Sequence, residues 1–167
     1  AGVDTQNKAY REALREVFQL AGLVLGRSDS LLKRLQELGC DGDKLRLNPT
    51  GIPMEAFPFQ QRCVPPGDGS WNFLQVCRLV EKKGLPVALR AFAEVCRVHS
   101  SAQFHIAGDG PMRLELESLA GELGVGESVH FHGFINQEKL AQLAGEAHIF
   151  LHPSQMGADG NREGIPN

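Results

Sequence analysis

The sequence predicts an α/β fold in which a Rossmann-like parallel sheet is covered by helices on both faces. Beyond residue 70, short apolar runs alternate with helical patterns of about 10 to 15 residues, which is typical of βαβ units. The chain has 167 residues, enough for one domain with a little left over. Its composition, 42% hydrophobic and 22% charged, is that of an ordinary globular domain. A disordered or fibrous chain is therefore not expected.

Charge and hydropathy argue against two kinds of partner. The formal net charge is −3 and no run of Lys and Arg is longer than two residues, so no nucleic-acid partner is expected. The longest apolar stretch, residues 20–25, is too short to cross a bilayer, and no signal-peptide pattern opens the sequence. We expect a cytoplasmic protein. The four cysteines include no C-x-x-C pair and are expected to be reduced structural thiols.

The first 50 residues predict two helices and two short apolar segments. Their boundaries follow from apolar spacing, from cap residues and from glycine. The predicted elements are a helix at 8–21, a short apolar run at 23–25, a helix that Ser28 or Ser30 caps and Gly39 ends, and a strand at 44–48. The paired prolines and glycines of residues 60–70 then predict an irregular connector.

The remainder predicts a regular alternation of four strands with three helices. The predicted strands are 73–79, 103–107, 129–134 and 149–152, and the predicted helices are 84–98, one with Pro111 at its first position, and one capped by Asn136. Parallel sheets of this kind bind ligands at the carboxyl ends of their strands. The residues that follow each predicted strand are therefore the candidate site.

Two or three cations lie between the first of these strands and the next helix. Arg78 and Lys83 lie in the segment before a predicted helix, and a helix N-terminus already favours anions. Arg and Lys beside it would hold a diphosphate and offset its charge. A solvated, charged loop is the equally weighted alternative for this motif alone.

The glycines after the second and third strands are weaker signals. Gly108 opens a G-x-G turn into a helix, but such turns need glycine whether or not anything binds. The third glycine and the acidic residue of a dinucleotide fingerprint are missing, which disfavours NAD. Gly133, followed by Phe134, would let the backbone approach a flat ligand such as a nucleobase.

The fourth strand end combines a histidine, a serine and a glutamate. His152 and Ser154 follow the strand, and His152 is the histidine expected to line the pocket. Glu163 precedes a glycine and a proline, so it offers one carboxylate beside a series of backbone N–H groups. That combination suits sugar hydroxyls and phosphate oxygens together.

Taken in order, these motifs resemble the carboxy-terminal domain of the retaining glycosyltransferases of family 4, which have the two-domain GT-B fold. The strings are CRLVEKKGL, FHIAGDGP, VHFHGF, HPS and DGNREGIPN. The resemblance covers about residues 44–167, and RSDSLLKRLQELG with KLRLNPTGI resembles the segment that leads into that domain. The acidic-glycine run before EGIP further resembles members that build bacterial surface polysaccharides.

The resemblance assigns roles to individual residues. It implies that Arg78 and Lys83 hold the diphosphate of a nucleotide-sugar donor and that Glu163 contacts the donor sugar. It places Gly133 and Phe134 near the base and Ser154 near the phosphates. The backbone expected beside sugar and phosphate comprises Gly164, Ile165, Pro166 and Asn167. Cys77 and Thr50 depart from the family, which usually has glycine and asparagine there, and a side chain at 77 would crowd the donor.

No metal and no cofactor are expected beside the nucleotide-diphosphate sugar, which is a substrate. Asp41-Gly42-Asp43 spells a D-x-D motif but follows a helix end, so we predict a turn. His130 and His132 share a strand face near His105, and we expect these rings to be buried against hydrogen-bond partners.

The resemblance also implies a domain organisation and partners. Residues 1–43 would be the end of an amino-terminal domain with the linking helix, and residues 44–167 a nucleotide-sugar-binding domain cut at its carboxyl end. A saccharide or lipid-linked acceptor would bind through the amino-terminal domain, and an open sheet edge could support a homo-oligomer. The full-length enzyme would be cytoplasmic or peripheral at the inner membrane surface. The alternatives are a non-catalytic nucleotide-binding or interaction module and a nucleotide-sugar epimerase fragment.

Overall fold

The computed structural model describes residues 7–51, 55, 59, 61, 66–67 and 69–155, and these form two compact units. The first unit holds the described residues up to Gly51 and the second those from Glu55 on. The sequence placed a boundary between residues 43 and 44. The strand after residue 44 pairs within the first unit, and the domain boundary stays a prediction. That the first segment ends an amino-terminal domain stays a prediction.

The first unit contains two helices and a parallel pair of short strands. In chain order they are α1 (Lys8–Leu20), β1 (Val24–Gly26), α2 (Asp29–Glu37) and β2 (Leu45–Leu47). Ser28 caps α2 by accepting a hydrogen bond from the Leu31 N–H at 3.3 Å. Gly39 follows α2 at φ +103°, as the predicted helix end requires. A small core forms from Phe18, Leu35, Leu38 and Cys40.

The second unit is a four-stranded parallel sheet with helical crossovers. Its elements are β3 (Asn72–Val76), α3 (Leu85–Cys96), β4 (Gln103–Ala107), α4 (Arg113–Glu122), β5 (Val129–Gly133), α5 (Gln137–Glu146) and β6 (Ile149–Phe150). The strand order is β5-β4-β3-β6, and all three pairings are parallel. The predicted α/β class and its parallel sheet are confirmed.

The main core lies between this sheet and the helices α3 and α4. Phe92 on α3 sits between Phe73 and Phe104, with ring centroids 5.5 and 5.3 Å away. Leu89 and Leu116, from α3 and α4, are fully buried in the same cluster. The helix α5 contacts β3, and its buried Leu143 lies outside that cluster. Right-handed crossovers place α5 on the other face, so helices cover both faces of the sheet.

Some predicted boundaries differ from the structure. The helix α4 begins at Arg113, not at Pro111, because Met112 donates its N–H to the Leu79 carbonyl at 3.2 Å and Arg113 to that of Gly110 at 3.1 Å. The strands β3 and β6 end at Val76 and Phe150, shorter than predicted. The connector predicted at residues 60–70 lies largely outside the described residues. No helix in the described part of the chain is long and apolar enough to span a membrane.

Candidate functional site

The site predicted from sequence maps to the connections that leave the carboxyl ends of the second sheet. The chain passes from β3 to β4 and β5 on one side and returns to β6 on the other side of β3. In open parallel sheets the crevice outside such a reversal point is where ligands bind. The connection from β3 to α3, which carries Arg78 and Lys83, therefore leaves the sheet at the position that the fold makes available.

The β3–α3 connection, residues 77–84, is a compact turn rather than an open loop. Lys83 donates its backbone N–H to the Val80 carbonyl at 3.0 Å, within a short helical turn at Glu81–Lys83. Gly84 follows at φ +65° and is the N-cap of α3, whose first turn contains a proline. The Arg78 side chain is exposed. Lys83 thus directly precedes the N-terminus of a helix of three turns, which attracts anions.

The connection after β4, residues 108–112, forms hydrogen bonds with the first half of this turn and packs against it. Leu79 donates its N–H to the Asp109 carbonyl at 2.9 Å, and Cys77 donates to the Ala107 carbonyl at 3.0 Å. A Cβ at Gly108 would overlap the carbonyl oxygen of Cys77. The glycine at 108 is therefore required by backbone packing alone. Its predicted contact with a ligand stays a prediction.

The segment after β6, residues 151–155, forms a hydrogen bond with the second half of the β3–α3 turn and packs against it. Gln155 donates its N–H to the Lys82 carbonyl at 2.9 Å, and a Cβ at Gly84 would overlap the carbonyl oxygen of Pro153. The predicted site residues His152 and Ser154 lie here, joined by a hydrogen bond of 2.9 Å between Nε2 and Oγ. The Nδ1 atom of His152 is buried and has no hydrogen-bond partner among the described residues.

The end of β5 contributes an exposed aromatic ring. Gly133 has φ +66°, and its carbonyl accepts a hydrogen bond of 2.8 Å from the Gly108 N–H. Phe134, which follows it, is 83% exposed. Arg113 on α4 holds this strand end by donating to the Phe131 carbonyl at 3.3 Å. A flat apolar surface is thus available beside the backbone predicted to approach a nucleobase.

Sequence reasoning missed one buried polar residue of this region. Gln75 is fully buried in β3, and its amide nitrogen lies 3.0 Å from the Lys83 carbonyl oxygen and 3.5 Å from Cys77 Sγ. The signal was a single amide within the apolar run Phe73–Val76. The Cys77 side chain is partly buried and packs against the core of the unit.

The structure brings part of the predicted site to one edge of the sheet. The predicted residues on these connections or at the end of β5 are Arg78, Lys83, Gly108, Gly133, Phe134, His152 and Ser154. Glu163, Gly164, Ile165, Pro166 and Asn167 lie outside the described residues. The binding roles of all twelve residues stay predictions.

The motifs that could suggest a metal have structural explanations. Asp41 Oδ1 accepts a hydrogen bond of 3.0 Å from the Asp43 N–H, which confirms the predicted turn. His105 Nδ1 lies 3.0 Å from His132 Nε2, and His130 Nε2 lies 2.7 Å from Gln103 Oε1. These histidines have hydrogen-bond partners, as expected. Within residues 7–51 and 69–155, no three His, Cys, Asp or Glu side chains are grouped to hold a metal ion.

Comparison with known proteins identifies the family. Residues 59–166 match the sequence profile of the glycosyl transferases group 1. The chain belongs to this family. The match includes all four connections of the second unit and the EGIP segment beyond them, so the resemblance stated from the motifs is confirmed.

Two curated relatives show how much of a family member the chain represents. WcaL of Escherichia coli K12, named as a glycosyltransferase of colanic acid biosynthesis, is 31% identical over 169 residues, which is 99% of this chain and 41% of WcaL. The amylovoran biosynthesis glycosyltransferase AmsK of Erwinia amylovora is 33% identical over 94% of this chain and 38% of AmsK. The chain spans about two fifths of the length of these relatives.

Solved structures support the same fold. Alr3699/HepE of Anabaena, crystallised with UDP, superimposes with a TM-score of 0.72 at 18% identity, over 92% of this chain and 45% of that protein. TarM of Staphylococcus aureus superimposes with a TM-score of 0.70 at 11% identity, over 95% of this chain and 32% of TarM. These neighbours are GT-B glycosyltransferases, so the expected fold class is confirmed.

Proposed function

We propose that the chain is the donor-binding part of a retaining glycosyltransferase that builds a bacterial surface polysaccharide. The observation that carries the proposal is the position of the Arg78–Lys83 turn, which leaves β3 where the strand order reverses and leads directly into α3. The names of WcaL and AmsK, which refer to two exopolysaccharides, support the pathway class. The UDP in the HepE crystal supports a nucleoside diphosphate as the ligand class.

In this proposal the donor lies across the connections of the second unit. Arg78, Lys83 and the first N–H groups of α3 bind the diphosphate, and Ser154 lies close to the phosphates. The exposed ring of Phe134 and the backbone of Gly133 face the base. Glu163 contacts the donor sugar, as the family resemblance implies, and His152 lines the pocket.

The chemistry follows from this arrangement. The bond between the anomeric carbon and the diphosphate breaks, the acceptor hydroxyl oxygen forms the new bond to that carbon, and the hydroxyl proton passes to the departing diphosphate. Negative charge then builds on the leaving phosphate, where Arg78, Lys83 and the helix N-terminus stabilise it. Such fixed electrostatic stabilisation is commonly the largest catalytic contribution. No metal is required for this role in our proposal.

The acceptor and the location are part of the same proposal. A saccharide or lipid-linked acceptor binds to the remaining part of a family member, and the enzyme works in the cytoplasm or at the inner membrane surface. A nucleotide sugar is a polar, charged donor, which suits a site on a water-exposed sheet edge.

Calorimetric titration with UDP and GDP tests the proposal. Because hydrogen bonds to charged groups contribute about 1.5–3 kcal/mol, Arg78→Ala and Lys83→Ala are each expected to weaken the nucleotide that binds by roughly 10-fold to 100-fold. Arg90→Ala removes the same charge from an exposed position of α3 and is the matched control. Equal affinity of the wild type and both site variants would exclude this turn as the phosphate site.

A further inference from the structure

We propose that Gln75 is a positioning residue for donor binding, because its amide fixes the backbone of Lys83. The inference rests on the proposed function, since it explains how the Lys83 side chain and the start of α3 are held for the diphosphate. Gln75 lies in β3, and its side chain is fully buried. In this proposal it does not contact the ligand.

The amide of Gln75 bridges the two ends of the phosphate-binding turn. Its nitrogen donates to the Lys83 carbonyl oxygen at 3.0 Å and approaches Cys77 Sγ at 3.5 Å. Since a carbonyl oxygen accepts and cannot donate, the atom that faces it must be the amide nitrogen, which fixes the orientation of the side chain. One buried side chain therefore connects the first residue of the turn with the last residue before its glycine.

The surroundings of Gln75 argue against a role in packing alone. Its neighbours Phe73 and Leu74 are buried apolar residues, and its own Oε1 is buried without a hydrogen-bond partner among the described residues. Burying an unpaired amide oxygen is unfavourable, so an apolar side chain of similar length would fill the same space better. What only the amide provides is the hydrogen bond to the turn.

The neighbouring residues of the turn are held by other contacts. The Lys82 carbonyl is held by the Gln155 N–H at 2.9 Å, and Leu79 is held through the Asp109 and Met112 backbone. Gly84 is confined by the Pro153 carbonyl. Without Gln75 the Lys83 carbonyl would lose a buried hydrogen bond, and the peptide that joins Lys83 to the N-cap of α3 could rotate. The proposed phosphate-binding groups on both sides of that peptide would then lose their alignment.

The test is a set of double-mutant cycles read out as UDP and GDP affinity of the full chain. Gln75→Met keeps the length of the side chain and removes the donor, and we expect it to weaken the nucleotide by about 10-fold. In a Lys83→Ala background the same substitution should have a smaller further effect, because the Lys83 side chain is already gone and only the alignment of the first N–H groups of α3 is left to lose. In an Arg78→Ala background its effect should persist.

A matched control separates positioning from loss of stability. Ile106→Val removes one methyl group from a fully buried position of β4 and should destabilise the unit without changing nucleotide affinity. Should Gln75→Met not fold, Gln75→Asn serves in the same cycles, since its amide is one methylene too short to reach the Lys83 carbonyl.

The outcomes distinguish this inference from the proposed function. If wild type binds neither nucleotide, the proposed function fails and the inference fails with it. If Lys83→Ala weakens binding and the Gln75 variant binds like wild type, the inference alone is overturned. Equal losses from the Gln75 variant in both backgrounds would show general loosening of the unit and would also overturn it.

Discussion

Three histidines on β4 and β5 form a stacked cluster on one face of the second sheet. The ring of His105 lies 4.9 Å from that of His130 and 5.2 Å from that of His132. Burial, and then the nearby His130 and His132, lower the pKa of His105 to about 4. Among the smaller contributions to this pKa, Glu146 on α5 raises it and Lys139 on α5 lowers it. Burial also lowers the pKa of His132. Both shifts favour the neutral form of His105 and of His132.

This cluster makes stability depend on pH. In the folded chain His105 has a pKa of about 4, whereas in the unfolded chain its pKa is the ordinary 6.5. Between pH 4 and 6.5 the unfolded chain therefore binds more protons than the folded chain. The free energy of unfolding should therefore fall as pH is lowered from about 6.5 toward 4. When urea unfolding is measured across this pH range, the free energy of unfolding should fall less for His105→Gln than for wild type. The control His99→Gln, which lies outside the cluster, should show the same fall as wild type. Identical pH profiles for His105→Gln and wild type would contradict this assignment.

Only part of the histidine cluster could be predicted from sequence. The sequence predicted rings buried against hydrogen-bond partners; His130 has such a partner in Gln103, but all three rings are only partly buried. The hydrogen bond between His105 and His132 lies beside an irregularity in the pairing of β4 with β5. Ile106 pairs with Phe131 but Ala107 pairs with Gly133, which leaves His132 as the extra residue. Such a bulge is a property of two strands together and has no signal in either one.

At the scale of elements, glycines allow the backbones of the connections after β3, β4 and β6 to pack directly against one another. Gly108 has φ +128° and lies against the Cys77 carbonyl, and Gly84 lies against that of Pro153. These contacts are between backbones, so neither side can yield by changing a rotamer. The shape of the candidate site is therefore set by backbone packing as well as by its charged side chains.

Substitution of a fitted glycine should be far more costly than substitution of a free one. Gly108→Ala combines a positive φ with overlap of the Cys77 carbonyl, and we expect a loss of about 2 kcal/mol or more in the free energy of unfolding. Gly121→Ala is the control, because nothing lies within 4 Å of an added Cβ in this helical position. It should stabilise α4 by about 0.5 kcal/mol. Chemical denaturation measures both, and equal effects would refute the packing argument.

Helix ends were predictable where one side chain determines them. Ser28 and Asn136 cap α2 and α5 as the sequence indicated, with Asn136 Oδ1 accepting from the Lys139 N–H at 2.8 Å. The predicted start of α4 was wrong, because Pro111 belongs to a turn before the helix. The Leu79 carbonyl, in the connection after β3, stabilises that turn by accepting a hydrogen bond from the Met112 N–H. A contact between segments that are far apart in sequence is not visible in the local pattern.

At the scale of the whole molecule, the site depends on strand order. The alternation of strands and helices predicts a parallel sheet, but it does not say that β6 returns beside β3. The motif order indicated the family, which the profile match confirms, whereas the location of the site stays a prediction. The order β5-β4-β3-β6 adds the physical reason, since the crevice must open beside the turn that carries Arg78 and Lys83.

Amide hydrogen exchange with and without saturating UDP or GDP tests the central claim most directly, because it reports where the nucleotide binds. The Arg78→Ala/Lys83→Ala double variant is the control and should show no nucleotide-dependent change. We predict slower exchange in wild type at residues 77–85, 108–113 and 151–155, with no change in α1, β1, α2 or β2. Protection confined to the first unit, or none anywhere at saturation, would contradict the proposal that the carboxyl ends of the second sheet bind the donor.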